Sequence, residues 1–283
     1  MEQNISHINN VMLWHLVQGK GIPIVLIHGG PGAYDYLEPL GKLINAEIFQ
    51  IIRYEQRGSW RSEKKGPYNI ETFIEDLEQL RIHLGINSWV VCGHSWGASL
   101  ALAYSAKYPS KVKALIYISG TGVNNAWHAE YRENRLNYMD EKDREEFLYL
   151  RKIIDTLKGD EKVYTQKRLR ELSLRTDLFD QANYVKLPRV DYPFVNNEVN
   201  QQISSETPNY LESREFITGI SNIHFPSLFI HGETDPRPGK YSLQLSSSLS
   251  NSTFSLIAKS GHYPWLDNPI ILEKRLNDFL LSL

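Results

Sequence analysis

Six short, mostly apolar runs punctuate this chain, and each ends in a turn carrying glycine, aspartate or histidine. Ile22–Ile27 runs into His28-Gly29-Gly30-Pro31-Gly32, Ile48–Tyr54 into Glu55-Gln56-Arg57-Gly58, and Trp89–Cys92 into Gly93-His94-Ser95-Trp96-Gly97. Val112–Ser119 runs into Gly120-Thr121-Gly122, Ser227–Ile230 into His231-Gly232-Glu233-Thr234-Asp235, and Phe254–Ala258 into Lys259-Ser260-Gly261-His262. Runs of this length and composition suit strands buried on both faces, as in parallel sheets. Helical patterns separate most of them. Ile70–Leu84 places Phe73, Ile74, Leu77, Leu80 and Leu84 at helical spacing, and the Ala- and Leu-rich Trp96–Tyr108 stops before Pro109. Pro269–Leu283 follows Asn268, a good N-cap, with proline in the first helical position. The alternation predicts an α/β fold, a mostly parallel sheet flanked by helices. Val11–Val17, joined by Gln18–Gly21 to Ile22–Ile27, reads as an antiparallel hairpin feeding that sheet.

One stretch breaks the rhythm. Between Thr121 and Asn222 no strand-like run ends in such a turn. Asn134–Arg175 is dense in Glu, Lys, Arg and Leu and reads as helices, whereas Tyr184–Tyr210, with Pro188, Pro193 and Pro208, reads as irregular. Because sheet elements resume directly afterwards, residues 121–222 are expected to form a mainly helical cap. It would interrupt a core made of residues 1–120 and 223–283. The alternative is a separate helical domain with its own role.

Gly93-His94-Ser95-Trp96-Gly97 fits G-x-S-x-G, a short pattern whose weight comes from its context. It follows one expected strand and opens one expected helix, the setting of a nucleophile elbow. Ser95 is the expected nucleophile, and the Trp96 N–H, at the helix start, an expected oxyanion donor. The glycine-rich His28–Gly32 loop lets backbone approach a substrate, and the Gly30 N–H is the expected second donor; His28 itself is expected to bond the loop. Asp235 and His262 each follow a strand, so the chain order is Ser, Asp, His, the order used by α/β-hydrolases. In that scheme His262 is the general base and Asp235 fixes its tautomer. Glu233 is the competing acid, and His94 and His231 the competing bases. Arg57 reads as a turn residue paired to a carboxylate, with a substrate contact as the alternative. Trp60, Trp96, Trp127 and Trp265 lie near strand ends, as pocket lining or as core. Cys92 reads as inert packing.

Composition narrows the partners. The 283 residues carry a formal net charge of −2, so neither nucleic acid nor an anionic membrane is demanded by charge. A single cysteine rules out an intrachain disulfide. The N-terminus lacks the pattern of a secretory signal and no apolar run approaches a membrane span, so a cytoplasmic protein is expected. No His/Cys/Asp/Glu cluster has metal-ligand spacing, so no metal or other cofactor is expected. A small molecule or short peptide is the expected substrate.

HGGPG at His28–Gly32 together with GHSWGA at Gly93–Ala98, and SGHYPW at Ser260–Trp265, resembles the proline iminopeptidase family of α/β-hydrolases. The likeness covers about Val11–Thr121 and Ile223–Leu283. It implies release of an N-terminal proline from short peptides by a serine aminopeptidase, without a cofactor. Two positions depart from the family, which usually has Asp where Glu55 stands and a small residue where Trp60 stands. Its members bind the free imino group with cap carboxylates, for which Glu130, Glu133, Glu198, Glu206 and Glu212 are available here. A carboxylic ester or lactone hydrolase needs only the triad, the oxyanion donors and an apolar pocket, and stands beside the peptidase reading. A non-catalytic ligand sensor has little need of a complete triad. A serine at the elbow disfavours dehalogenase and epoxide hydrolase chemistry, which use a carboxylate there.

Overall fold

The computed structural model describes residues 2–123, 125–187 and 195–283. Its centre is one eight-stranded sheet in the order β1-β2-β4-β3-β5-β6-β7-β8. The strands are β1 (Glu2–Ile8), β2 (Val11–Gln18), β3 (Ile22–Ile27), β4 (Phe49–Tyr54), β5 (Trp89–His94), β6 (Val112–Ile118), β7 (Ser227–Gly232) and β8 (Ser252–Ile257). From β4 across to β8 all pairings are parallel, and β1–β2 and β2–β4 are antiparallel. The mostly parallel sheet expected from the apolar runs is therefore present.

The hairpin is not where the sequence suggested. β2 pairs with β1 and β4 rather than with β3, and its hairpin partner is β1. The turn is Asn9-Asn10, both left-handed at φ 47° and 62°, the conformation a two-residue hairpin turn requires. After β2 the chain crosses beneath β4. Gly19 and Gly21 have φ of 81° and 95°, and a Cβ on either would lie within 2.5 Å of a carbonyl oxygen of Ala46, Ile48 or Phe49. That approach leaves no room for a β2–β3 hairpin.

Alternating residues of each strand feed two cores, one per face. Val25, Ile27, Ile52, Val91, Leu115 and Tyr117 face helices α2 (Ile70–His83) and α3 (Trp96–Lys107). Ile24, Leu26, Ile51, Val90, Cys92 and Ile116 face α1 (Glu38–Gly41), α10 (Pro264–Asp267) and α11 (Pro269–Leu280). Asn69 caps α2 by accepting from Thr72 N–H at 2.8 Å. Asn268 does the same for α11 through Ile271 N–H. Cys92 is fully buried, which pushes its thiol pKa up, in keeping with packing.

Between β6 and β7 lie α4 (Trp127–Asn137), α5 (Glu141–Ile153), α6 (Gly159–Thr176), α7 (Asn197–Leu211) and α8 (Arg214–Ser221), and α9 (Lys240–Ser248) follows β7. Met139, Phe147 and Leu172 make a small core of their own between α5 and α6, whereas Val199, Ile203 and Phe216 of α7 and α8 join the main core. Helix α7 corrects the irregular reading of Tyr184–Tyr210. Pro208 sits inside it, and burial of Val199, Ile203 and Leu211 along one face offsets the hydrogen bond the proline cannot donate. Pro188 and Pro193 lie outside the described residues.

Candidate active site

The turn from β5 to α3 places Ser95. Its φ of 57° and ψ of −124° are a left-handed conformation that non-glycine residues rarely hold. Ser95 N–H donates to Ile118 O at 2.9 Å and Ser95 O accepts from Ala98 N–H at 3.0 Å, which fixes the strained residue on both sides. The flanking glycines are sterically required. A Cβ on Gly93 would lie 2.1 Å from Gly97 O, and one on Gly97 would lie 2.1 Å from Ile27 O. Half-buried Ser95 thus stands at the C-terminal edge of the sheet, directly against the glycine loop: a Cβ on Gly29 would come within 2.7 Å of Ser95 Cβ.

A chain of hydrogen bonds joins that loop to the elbow. Gly29 N–H donates to Tyr36 Oη at 2.8 Å, and Tyr36 O–H donates to His94 Nδ1 at 2.7 Å. His94 Nε2–H then donates to His262 O at 2.8 Å. Each carbonyl or lone pair along the path dictates the next donor, which fixes His94 as a neutral tautomer with both nitrogens engaged. Burial, reinforced by nearby His262, holds its pKa well below the usual value. Gln56 braces the other side, donating to His28 O at 2.6 Å and accepting from Trp96 Nε1–H at 3.1 Å. His28, fully buried, accepts from Gln56 N–H at 3.2 Å and bonds Gly29 O at 3.0 Å, a role within the loop. The Gly29 N–H is committed to Tyr36, and the next residue, Gly30, is left-handed at φ 58°. Trp96 N–H opens α3, where amides have no acceptor within the helix.

His262 and Asp235 meet at the ends of the last two strands. His262 Nδ1–H donates to Asp235 Oδ2 at 2.6 Å, with both residues almost fully buried. Burial opposes the charge on Asp235, but His262, Arg237 and His231 outweigh it and hold the carboxyl well below the usual range. Among the described residues no hydrogen bond joins Ser95 Oγ to His262. The two are linked through His94, whose ring centroid lies 4.6 Å from that of His262. Glu233 is exposed and accepts from Lys259 N–H at 3.1 Å. His231 Nε2–H donates to Arg237 O at 2.8 Å. Glu233 therefore bonds away from His262, whereas His231 Nε2 also lies 3.6 Å from Asp235 Oδ2 and His94 bonds the His262 main chain.

Other candidates fall into place around this centre. Arg57 makes a bidentate, buried pair with Asp76, at 2.8 and 2.6 Å, so it ties the turn after β4 to α2. Trp265 is core, packed against Tyr36 and His94. Trp60 is 45% exposed beside Tyr34, and Trp127 stacks on His128. Buried Glu55 accepts from Asp35 N–H and from Arg61, and so braces the same turn. Sequence reasoning missed Tyr36, Gln56, Asp177 and Arg237. Only Arg237 had a local signal, its place two residues after Asp235 between two prolines.

A family model described as alpha/beta hydrolase fold matches residues 22–269. The proline iminopeptidase of Lactobacillus delbrueckii subsp. bulgaricus is 25% identical over 276 residues, covering 92% of this chain and 90% of that protein. The proline iminopeptidase of Clostridioides difficile is 27% identical over 266 residues, covering 91% and 89%. The crystal structure of the Mycobacterium smegmatis proline iminopeptidase superposes with a TM-score of 0.71 at 18% identity, covering 99% of this chain and 98% of that one, a likeness of fold. With the family model spanning β3 to β8, the elbow and the histidine loop, this chain belongs to the α/β-hydrolase fold family, and the two relatives named above are proline iminopeptidases.

Proposed function

We propose that this hydrolase acts through Ser95, His262 and Asp235 by way of an acyl-enzyme. His262 Nε2 takes the Ser95 proton as Oγ attacks the substrate carbonyl. The oxyanion is met by the Gly30 and Trp96 N–H groups, each worth about 3–4 kcal/mol of transition-state stabilisation. His262 then returns the proton to the leaving amine or alcohol, leaving an ester on Ser95. Water, deprotonated by the same imidazole, releases the acid and restores the serine. Helices α4–α8, the 121–222 cap, would select the substrate. The observation that carries this reading is the buried His262–Asp235 hydrogen bond, joined through His94 to the left-handed serine elbow. A fluorophosphonate probe tests it: wild-type protein is expected to be labelled at Ser95 and Ser95→Ala to be unlabelled, and labelling that persists in the variant places the nucleophile elsewhere.

The relatives support release of an N-terminal proline, whereas the cap's charges favour an ester or lactone. Glu206 accepts from Ile70 N–H at 2.9 Å, Glu130 from Tyr241 O–H at 2.6 Å, and Glu133, Glu198 and Glu212 are exposed. None of these contacts leaves a buried carboxylate offered to a substrate amine. Hydrolysis of a proline arylamide with a free amine, of its N-acetyl twin and of a short aryl ester separates the two readings. Cleavage of the free-amine amide alone supports the peptidase, and cleavage of the ester alone removes it.

A further inference from the structure

Asp177, the residue that ends α6, touches the base loop with its main chain. Its carbonyl accepts the His262 N–H at 2.7 Å, and Gly261 is pressed so close that a Cβ there would lie 2.3 Å from the same oxygen. Its carboxylate faces the other way. Asp177 Oδ1 accepts from Arg237 Nη1 at 2.9 Å and Oδ2 from Nη2 at 3.4 Å. The same Nη1 lies 3.3 Å from Asp235 Oδ1, which also accepts from Arg237 N–H at 2.9 Å. One partly buried guanidinium is therefore shared by two carboxylates, the partner of His262 and a residue of the segment between β6 and β7.

That sharing has an electrostatic consequence. A cation on Asp235 alone competes with a protonated His262 for the same negative charge. With Asp177 present the four groups form two neutral pairs when His262 is protonated, Arg237 with Asp177 and His262 with Asp235. We propose that Asp177 and Arg237 are positioning residues, Asp177 holding the His262 loop by its main chain and balancing, through Arg237, the charge that Asp235 offers the base. The proposal rests on His262 being the general base. Arg135 is a second cation that feels the Asp177 charge and opposes Arg237, with burial lowering its pKa to about 10, and it is common to every variant compared below. Burial lowers the pKa of His94 and His231 and raises that of the Tyr263 phenol, and Tyr131 meets Arg237 with its hydroxyl at 3.2 Å and its ring face at 4.5 Å.

The pH dependence of kcat/KM tests it in Asp177→Asn, Arg237→Gln, the double variant and Arg237→Lys, each checked for folding by its melting curve. The low-pH limb reports protonation of the base. Asp177→Asn leaves Arg237 uncompensated and disfavours the imidazolium, so the limb moves to lower pH by about one unit. Arg237→Gln moves it the other way by a similar amount. The double variant returns it to the wild-type position, and Arg237→Lys keeps it there with reduced kcat. If a single variant does not fold, the double and the lysine variant still report the limb. A limb that stays fixed in Asp177→Asn and Arg237→Gln, or a double variant whose shift fails to cancel, overturns the proposal. The base assignment is read separately: fluorophosphonate labelling at the wild-type rate in His262→Ala removes His262 as base, whereas slowed labelling with an unmoved limb overturns the charge balance alone.

Discussion

His262 Nδ1 lies 2.6 Å from Asp235 Oδ2, while Glu233, two residues earlier in the same turn, points to the surface and accepts from Lys259 N–H. The strand end, not proximity in sequence, decides which carboxylate meets the imidazole. Asp235→Asn is expected to lower kcat by about 10³–10⁴-fold, because the amide favours the wrong tautomer and cannot stabilise the imidazolium. Glu233→Gln is expected to leave kcat unchanged. Steady-state kinetics on any cleaved aryl ester or amide check both, and a reversed order of losses assigns the acid to Glu233.

Tyr36 carries a second expectation. Its hydroxyl accepts from Gly29 N–H and donates to His94 Nδ1, so it couples the glycine loop to the elbow. Tyr36→Phe keeps the ring packing on Trp265 and removes both bonds. With the Gly29 amide unpaired, the loop is expected to lose register with Ser95, lowering kcat about tenfold with KM little changed. An unchanged kcat would mean that the loop is held by Gln56 and His28 alone.

The elbow glycine gives a stability test. In Gly97→Ala the new Cβ meets Ile27 O at 2.1 Å and His28 O at 2.6 Å, both backbone atoms of the central strand and its loop. Neither can move without displacing the sheet, so a loss of more than ~3 kcal/mol is expected in urea unfolding. Gly85→Ala meets open space and loses only the ease of its left-handed φ of 66°. It is expected to cost about 1 kcal/mol.

The buried Arg57–Asp76 pair is expected to matter for stability rather than chemistry. Arg57→Met leaves the Asp76 carboxylate buried with, among the described residues, Asn9 Nδ2 as its side-chain donor, at 2.8 Å. Removing one member of such a pair costs about 3–5 kcal/mol. Denaturant unfolding should show that loss, Arg57→Met with Asp76→Leu should recover most of it, and kcat of the folded protein should not change.

How much was legible in the sequence follows from where the constraint was local. Strands buried on both faces declare themselves as apolar runs, and the catalytic candidates sit at the ends of those runs, so β3 to β8 and the positions of Ser95, Asp235 and His262 could be read directly. Strand β1 could not. It lies at the sheet edge with Ile5 exposed and only Ile8 in the core, so its pattern is mostly polar. Helix α7 was hidden by Pro208, whose local preference was overruled by the core beneath Val199 and Ile203. Tyr36, Asp177 and Arg237 meet their partners only because separate elements converge, and no spacing in the chain encodes that.

The carbonyl of Asp177 that receives the His262 amide makes the helical insertion less interchangeable than its place in the chain suggests. A chimera carrying the insertion of another relative keeps Ser95, Asp235 and His262 in sequence but keeps the acceptor beneath the histidine only if the new segment brings a main-chain carbonyl to the same place. Transplanting new substrate preference onto this sheet therefore calls for a graft boundary that leaves residues 177–183 native, so that Phe179 N–H and Asn183 also keep their bonds to Asp267.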